Sequence, residues 1–190
     1  MRSNFISAFL FTIIGTVLLG IGYPYAVAGL AQLLFRDKAT GQLITRDGHV
    51  IGSRIIGQPF TGESYFHSRP SAAGTGYDAA SSGATNFGPT NQKLIDRVTA
   101  DTASLAKANR AGPVPIDLVT ASASGLDPHI TPAAAEYQVP RIARERGMPE
   151  AQLRAIVAQH TEGRQLGVFG EPRVNVLELN LALDASAPRH

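Results

Sequence analysis

The chain begins with an apolar run of unusual length. From Ser3 to Phe35 no charged residue interrupts the sequence SNFISAFLFTIIGTVLLGIGYPYAVAGLAQLLF, and Arg2 and Arg36 close it at either end. A bilayer core about 30 Å thick is crossed by roughly 20 mostly apolar residues in a helix. The pattern therefore predicts one membrane anchor, residues 1–35, followed by one water-soluble domain, residues 36–190. The alternative is a cleaved leader, with Arg2 as its basic start and Ala26-Val27-Ala28 as a small-residue cleavage site. Against cleavage, the apolar stretch Phe5–Gly22 exceeds the usual core of a leader. It also continues past the candidate site through Leu30, Leu33, Leu34 and Phe35. Pro24, between Tyr23 and Tyr25, predicts either a kink or the outer end of the helix. Arg2 on one side and Arg36 with Lys38 on the other leave the orientation open by the positive-inside rule.

Beyond the anchor the periodicity changes. Leu43-Ile44 and Val50-Ile51 flank Asp47-Gly48, which predicts a hairpin. Ser53–Phe60 is a further short apolar stretch. Residues 61–91 are dominated by Gly, Ser, Ala, Thr and Asn, with Tyr65, Phe66, Tyr77 and Phe87 interspersed. Loops this long are functional or disordered, and interleaved aromatics argue for order. A helix capped by Thr90 or Asn91 follows, with Leu94, Ile95, Val98, Thr102 and Leu105 on one face. Ile116–Thr120 reads as a buried strand, and Ala121–Pro128 as a second small-residue loop. Thr131 caps the next helix with Pro132 at its first position. That helix turns Ala135, Val139, Ile142 and Ala143 inward, Pro140 predicts a break or kink, and Gly147 ends it. Pro149 starts another, on which Leu153, Ile156, Val157 and His160 share a face. Gly163, Gly167 and Gly170 mark turns. In Val174–Asp184 the leucines alternate as in a strand, but Asn175 with Glu178 resembles a capping box and favours a helix. The fold class is α+β: a single N-terminal transmembrane helix and one mixed soluble domain with long Gly/Ser/Ala-rich loops.

Composition narrows the chemistry. Seventeen Lys and Arg against fifteen Asp and Glu give a net charge of +2, without the basic patch of a nucleic-acid binder. The short helices of 139–156 have the outline of a helix-turn-helix, but they read better as a packing unit. Cysteine is absent, so disulfides, thiolate metal sites and thiol catalysis are excluded. Neither GxxxxGK[ST] nor a helix-opening GxGxxG occurs. Ser81–Gly88 could turn backbone N–H groups toward an anion, but it reads better as an ordered loop. His49, His67, His129, His160 and His190 lack metal-ligand spacing. Ser122, Ser124, Asp127 and His129 are close in sequence, whereas a triad assembles from separate elements. No catalytic residue and no metal ligand is assigned. In the anchor, Gly15, Gly20 and Gly22, with Ser7, Ala8 and Thr12 on nearby turns, offer close packing to another membrane helix. Against this, glycine is simply frequent in such helices.

Several short strings in order carry a family resemblance. They are Ile56-Gly57-Gln58-Pro59-Phe60, Tyr65-Phe66-His67-Ser68-Arg69-Pro70-Ser71-Ala72, Ser82-Gly83 to Asn86 with Gly88-Pro89-Thr90-Asn91, Val119–Asp127 and Val174–Asp184. With these the chain resembles the C chain of the bacterial high-affinity potassium-transporting ATPase, the KdpC family. In one loop the family more often has SGGSNLGPTN, where this chain has SGATNFGPTN. The resemblance implies an accessory, non-catalytic subunit of the inner membrane with its soluble domain in the periplasm. Its implied partners are a channel-like potassium-translocating subunit, a P-type ATPase catalytic subunit and the lipid bilayer, with no nucleic acid. No cofactor is implied for the chain itself. ATP enters through the catalytic subunit, whose affinity for it the C chain has been proposed to raise, although a soluble domain outside the cytoplasm makes direct nucleotide contact awkward. Ser122, Ser124, Gly125 and Gln138 are the motif candidates for such binding. Tyr65, Phe66, Arg69, Asn86 and Asn91 join the anchor glycines as candidates for partner contact. A membrane-anchored or secreted extracytoplasmic enzyme or binding protein is the alternative.

Overall fold

The computed structural model describes residues 2–109 and 112–186. The chain divides into two compact units, Met1–Ile51 and Gly52–His190.

The first unit is led by one helix of 33 residues, Arg2–Leu34, long and apolar enough to cross a membrane. It comprises α1 (Arg2–Gly15), a π-helical segment (Thr16–Gly22) and α2 (Tyr23–Leu34). Pro24 does not end it. The ring removes an N–H that an α-helix would use, and the wider turns just before it take up the mismatch, as π-segments do. The helix also runs unbroken through Ala26-Val27-Ala28. After a single turn, α3 (Arg36–Ala39), comes the hairpin of β1 (Leu43–Arg46) and β2 (His49–Ser53). Asp47 (φ 52°) and Gly48 (φ 78°) are both left-handed, as the two-residue turn suited to strand twist requires.

The second unit holds the core. Residues 54–91 contain no helix or strand, yet Phe66 and Ala73 within them are wholly buried. Helix α4 (Gln92–Asn109) is capped by Asn91, whose Oδ1 accepts the Lys93 N–H at 2.9 Å. Leu94, Val98, Thr102 and Leu105 are half-buried on its inner face, whereas Ile95 stands outside it, 44 % exposed. Ile116–Leu118 is a 3-10 turn rather than a strand. Pro115 leads into it, Ile116 points out at 73 % exposure, and the Asp117 carboxylate is buried and accepts the Thr131 N–H at 2.7 Å. An alternating strand would have buried Ile116 with Leu118 instead.

Strand β3 (His129–Ile130) pairs antiparallel with β5 (Arg173–Asn175), which also pairs with β4 (Thr161–Glu162). The order is β3-β5-β4 with Val174 fully buried at the centre. Helix α5 (Pro132–Arg146) starts where the Thr131 hydroxyl accepts the Ala134 N–H and stops at Gly147 (φ 63°). It continues through Pro140, because the carbonyl that loses its donor belongs to exposed Glu136 and can face water. Helix α6 (Glu150–Gln159) packs on α5 through Leu153, Ile156 and Val157. Val174 and Asn175 are extended, and α7 (Val176–Ser186) begins directly after them. Asn175 Oδ1 accepts the Glu178 N–H at 3.2 Å, so the capping signal decides over the alternating leucines. Leu177, Leu179 and Leu183 are all buried.

Candidate functional site

The two small-residue loops form one surface, and polar side chains of α5 and α7 build its floor. Segment 63–67 opens in a turn, with the Tyr65 N–H on the Gly62 carbonyl at 3.0 Å, and has no neighbouring strand. Side chains serve its backbone instead. Asn180 accepts the Phe66 N–H and donates to the Phe66 carbonyl, both at 2.9 Å. Gln138 does the same for His67, at 2.8 and 3.1 Å. Arg141, 2 % exposed, donates to the carbonyls of Glu63 and Tyr65 and to Asn109 and Gln138. Arg146 donates to the Ser64 carbonyl at 2.8 Å and to Asp184 at 2.7 Å, and lies 5.0 Å over the Tyr65 ring. Tyr65 completes the ring of contacts by donating to Asp184 at 2.8 Å. These bonds meet the rule that buried backbone groups find partners. Burial, followed by the Arg141 charge, lowers the pKa of His67, against the Gly62 carbonyl and Glu63, which raise it.

On this floor the loops lock into each other. Arg69 pairs with Asp127 at 2.9 Å and donates to the Thr120 carbonyl at 3.3 Å. Ser71 Oγ donates to the Gly125 carbonyl at 2.6 Å and accepts the Tyr77 N–H at 2.8 Å. Tyr77 donates to the Arg69 carbonyl. The Gly83 N–H and the Ser82 hydroxyl both reach the Ser124 carbonyl, at 3.0 and 2.9 Å. Gly57 donates to the Leu126 carbonyl at 2.7 Å. Gly125 sits at φ 66°, and a Cβ there would lie 2.6 Å from the Ala73 nitrogen and 2.8 Å from the Gly83 carbonyl oxygen. Only glycine permits that approach. Ala84, where this chain departs from the commoner family string, does not have positive φ; in that loop Asn86 does, at 52°. The alanine is therefore free of backbone strain.

Beside the loops an open cleft of about 330 Å³ is lined by Arg69, Asp117, Asp127, His129, Thr131, Glu171 and Arg173 among others. Burial raises the Asp127 pKa, but hydrogen bonds from His129 and the Arg69 charge outweigh it, and the carboxyl stays below its ordinary value. The cleft is thus lined by charges of both signs. Among the described residues no group of three or more His, Asp or Glu is placed to hold a metal ion.

The sequence candidates fall into three places. Ser122, Ser124 and Gly125 lie together on the second loop. Ser122 Oγ is 3.5 Å from Ser124 Oγ, and Ser124 Oγ accepts the Leu126 N–H at 3.1 Å. Gln138 lies apart from them, 1 % exposed, with both ends of its amide bound to the His67 backbone. Tyr65 and Arg69 belong to the interlocked loops, Phe66 is wholly buried beneath them, Asn91 caps α4 and Asn86 is exposed. Gly15, Gly20 and Gly22 are on the membrane helix. Sequence reasoning missed Arg141, Asn109, Asn180 and the Arg146–Asp184 pair. A signal existed: Gln138 and Arg141 interrupt the apolar face of α5, and Asn180 stands among the leucines of α7. Polar residues on a core face are the informative departures.

Comparison with known proteins covers the whole of this architecture. A family described as the K+-transporting ATPase, c chain, matches residues 5–185. The chain is 64 % identical over 188 residues to the potassium-transporting ATPase KdpC subunit of Koribacter versatilis, covering 99 % of this chain and 97 % of that one. It is 59 % identical over 178 residues to the subunit of the same name in Acidobacterium capsulatum, covering 94 % and 96 %. The corresponding figures for Rhodospirillum rubrum are 58 % over 175 residues, 91 % and 91 %.

Proposed function

Because the chain belongs to the KdpC family, the C chain of the K+-transporting ATPase, we propose that it is the non-catalytic subunit that holds a channel-like potassium-translocating subunit and a P-type catalytic subunit in one complex. The observation that carries this reading is the span of the match. It includes both the apolar helix, which fits a membrane, and the interlocked loops of the second unit. A protein built this way can grip partners within the bilayer and present a rigid surface outside it. The Arg69–Asp127 loop pair, with exposed Asn86 at its edge, is the proposed surface, and the helix stays uncut. In this reading residues 1–35 are the anchor and 36–190 the periplasmic domain. Any effect on ATP affinity is transmitted through the catalytic subunit, with Ser122 and Ser124 on the transmitting surface and buried Gly125 holding their loop in place.

The test is growth on limiting potassium by cells lacking the chain. The full chain restores growth and co-purifies with the other two subunits, while residues 36–190 alone do neither. Full transport from that fragment would reduce the helix to a dispensable tether. Sidedness is read separately, by an impermeant thiol reagent on a Gln152→Cys chain, where the side chain is exposed. Labelling in intact spheroplasts places the domain outside; labelling only after lysis reverses the topology.

A further inference from the structure

Strands β4 and β5 are joined by an arm that projects from the second unit. Its root is the antiparallel pairing of Thr161 with Val174 and of Glu162 with Arg173, and Val174 is fully buried at the centre of the sheet. From Glu162 to Arg173 every residue is exposed. The arm closes where Gln165 and Phe169 exchange both backbone hydrogen bonds at 2.9 Å. Between them Leu166 (φ 52°) and Gly167 (φ 76°) are left-handed.

The side chains at this tip are ill suited to water. Leu166 is 89 % exposed, Val168 68 % and Phe169 63 %. Leucine also fits the left-handed conformation poorly, where Asn, Asp or Gly is the ordinary choice. Single exposed apolar residues are normal, but such residues gathered on one turn form a patch that marks an interaction. No residue from Gln165 to Gly170 is charged. At the base of the tip Arg164 pairs with Glu171 at 2.7 Å, and Arg173 with Glu162 at 2.8 Å, so the nearest charges cancel across the arm. The N–H groups of Gln165, Gly167, Val168 and Phe169 all end on carbonyls of the arm itself.

Two features select a lipid surface as the occupant. A projecting tip with its N–H groups already bonded and no charge can enter an apolar boundary without stranding those donors. The chain also keeps the tip near such a boundary. Only residues 35–51 separate the apolar helix from the second unit, and fully extended they reach about 60 Å. Tethering of this kind lets a few apolar side chains suffice, because it raises their effective concentration to the order of millimolar.

We propose that the Leu166–Phe169 tip inserts into the headgroup–acyl boundary of the bilayer that holds the N-terminal helix, as a second, reversible membrane contact that orients the second unit on the surface. The proposal rests on Arg2–Leu34 being an uncut membrane anchor and not on the chain's place in the transport complex. Because the arginines of the arm are paired, insertion requires no anionic lipid and is insensitive to salt.

The chain contains no tryptophan, so Phe169→Trp gives a single fluorescent probe at the tip. The full chain carrying it is reconstituted in phosphatidylcholine vesicles, with Gln152→Trp, at an exposed position on α6, as the control. An indole lying about 5–10 Å into the boundary is expected to be quenched about three-fold more than the control by lipids brominated high on the acyl chain. Added anionic lipid or high salt leaves the difference unchanged. Leu166→Asn in the Phe169→Trp chain suits the left-handed backbone, removes apolar surface and reduces the quenching. Quenching equal to the control, in a chain that floats with the vesicles, overturns the insertion and leaves the anchor reading intact. A chain that does not float overturns both. Shielding of the indole from water that requires the other two subunits and gives no quenching by brominated lipid identifies a protein contact instead and overturns the lipid one.

Discussion

His67 and Gly125 show how single residues constrain the loops in different ways. His67 lies beside the Arg141 guanidinium and is held below its ordinary pKa of 6.5 by burial first and by that charge second. A base with a lowered folded pKa takes up a proton more readily in the unfolded chain. Stability is therefore fully present above about pH 6.5 and falls as the pH drops from there toward the lower folded value. Asp127, also lowered, adds its own loss further into acid, below its ordinary value of 3.8. Denaturant midpoints of the full chain in detergent, measured from pH 7.5 to 4.5, are expected to fall over this range. His67→Gln should flatten the part that begins near 6.5; an unchanged profile would show that His67 does not report on folding. Gly125 acts through space and dihedral together. Gly125→Ala combines left-handed strain of about 1–2 kcal/mol with overpacking of roughly 1–3 kcal/mol against Ala73 and Gly83. Gly147→Ala carries the same kind of strain at φ 63°, with nothing within 4 Å of the new methyl. Urea unfolding should therefore rank Gly125→Ala clearly below Gly147→Ala, and equal losses would contradict the close approach.

At the scale of elements, α5 and α7 take the place of a neighbouring strand. Segment 63–67 joins no sheet; after a turn at Glu63–Ser64, the backbone groups of Phe66 and His67 and the Tyr65 carbonyl end on the amides of Asn180 and Gln138 and on Arg141. This explains how a stretch with no regular structure is held in place. Asn180→Leu keeps roughly the volume and removes both bonds to Phe66. Each orphaned backbone group costs about 1–3 kcal/mol, and the loss should appear first as local release of the segment. Limited proteolysis is expected to cut between residues 61 and 70 much faster than in the parent chain, before α5 or α6 is attacked. Cutting that begins in the helices would mean that Asn180 holds the core rather than the loop.

For the whole molecule, the division at Ile51 and Gly52 matters most. Every residue of the core, from Phe66 to Leu183, lies in the second unit. A fragment of residues 52–190 is expected to unfold cooperatively in urea, with a midpoint close to that of the second unit in the full chain. A markedly lower midpoint would show that the first 51 residues contribute to its stability. A long apolar helix at the start and a core confined to the second unit suit a subunit whose family match extends over residues 5–185.

The sequence by itself determined what depends on neighbours a few residues apart. The apolar run specified the long helix, Asp47-Gly48 specified the hairpin turn, and Asn91, Thr131 and Asn175 specified three helix starts. Ordered short strings in the loops were enough to point to the family. Tertiary structure decided what depends on partners far along the chain. Ile116–Thr120 looks like a strand by composition, but the segment turns because the buried Asp117 carboxylate finds the Thr131 N–H. Pro140 looks like a break, but the helix runs through it, and the carbonyl that loses its donor belongs to exposed Glu136. The floor of the site joins Glu63–His67 to residues more than seventy positions later. No periodicity records such a link, because a side-chain amide can replace a strand only once folding has brought it there.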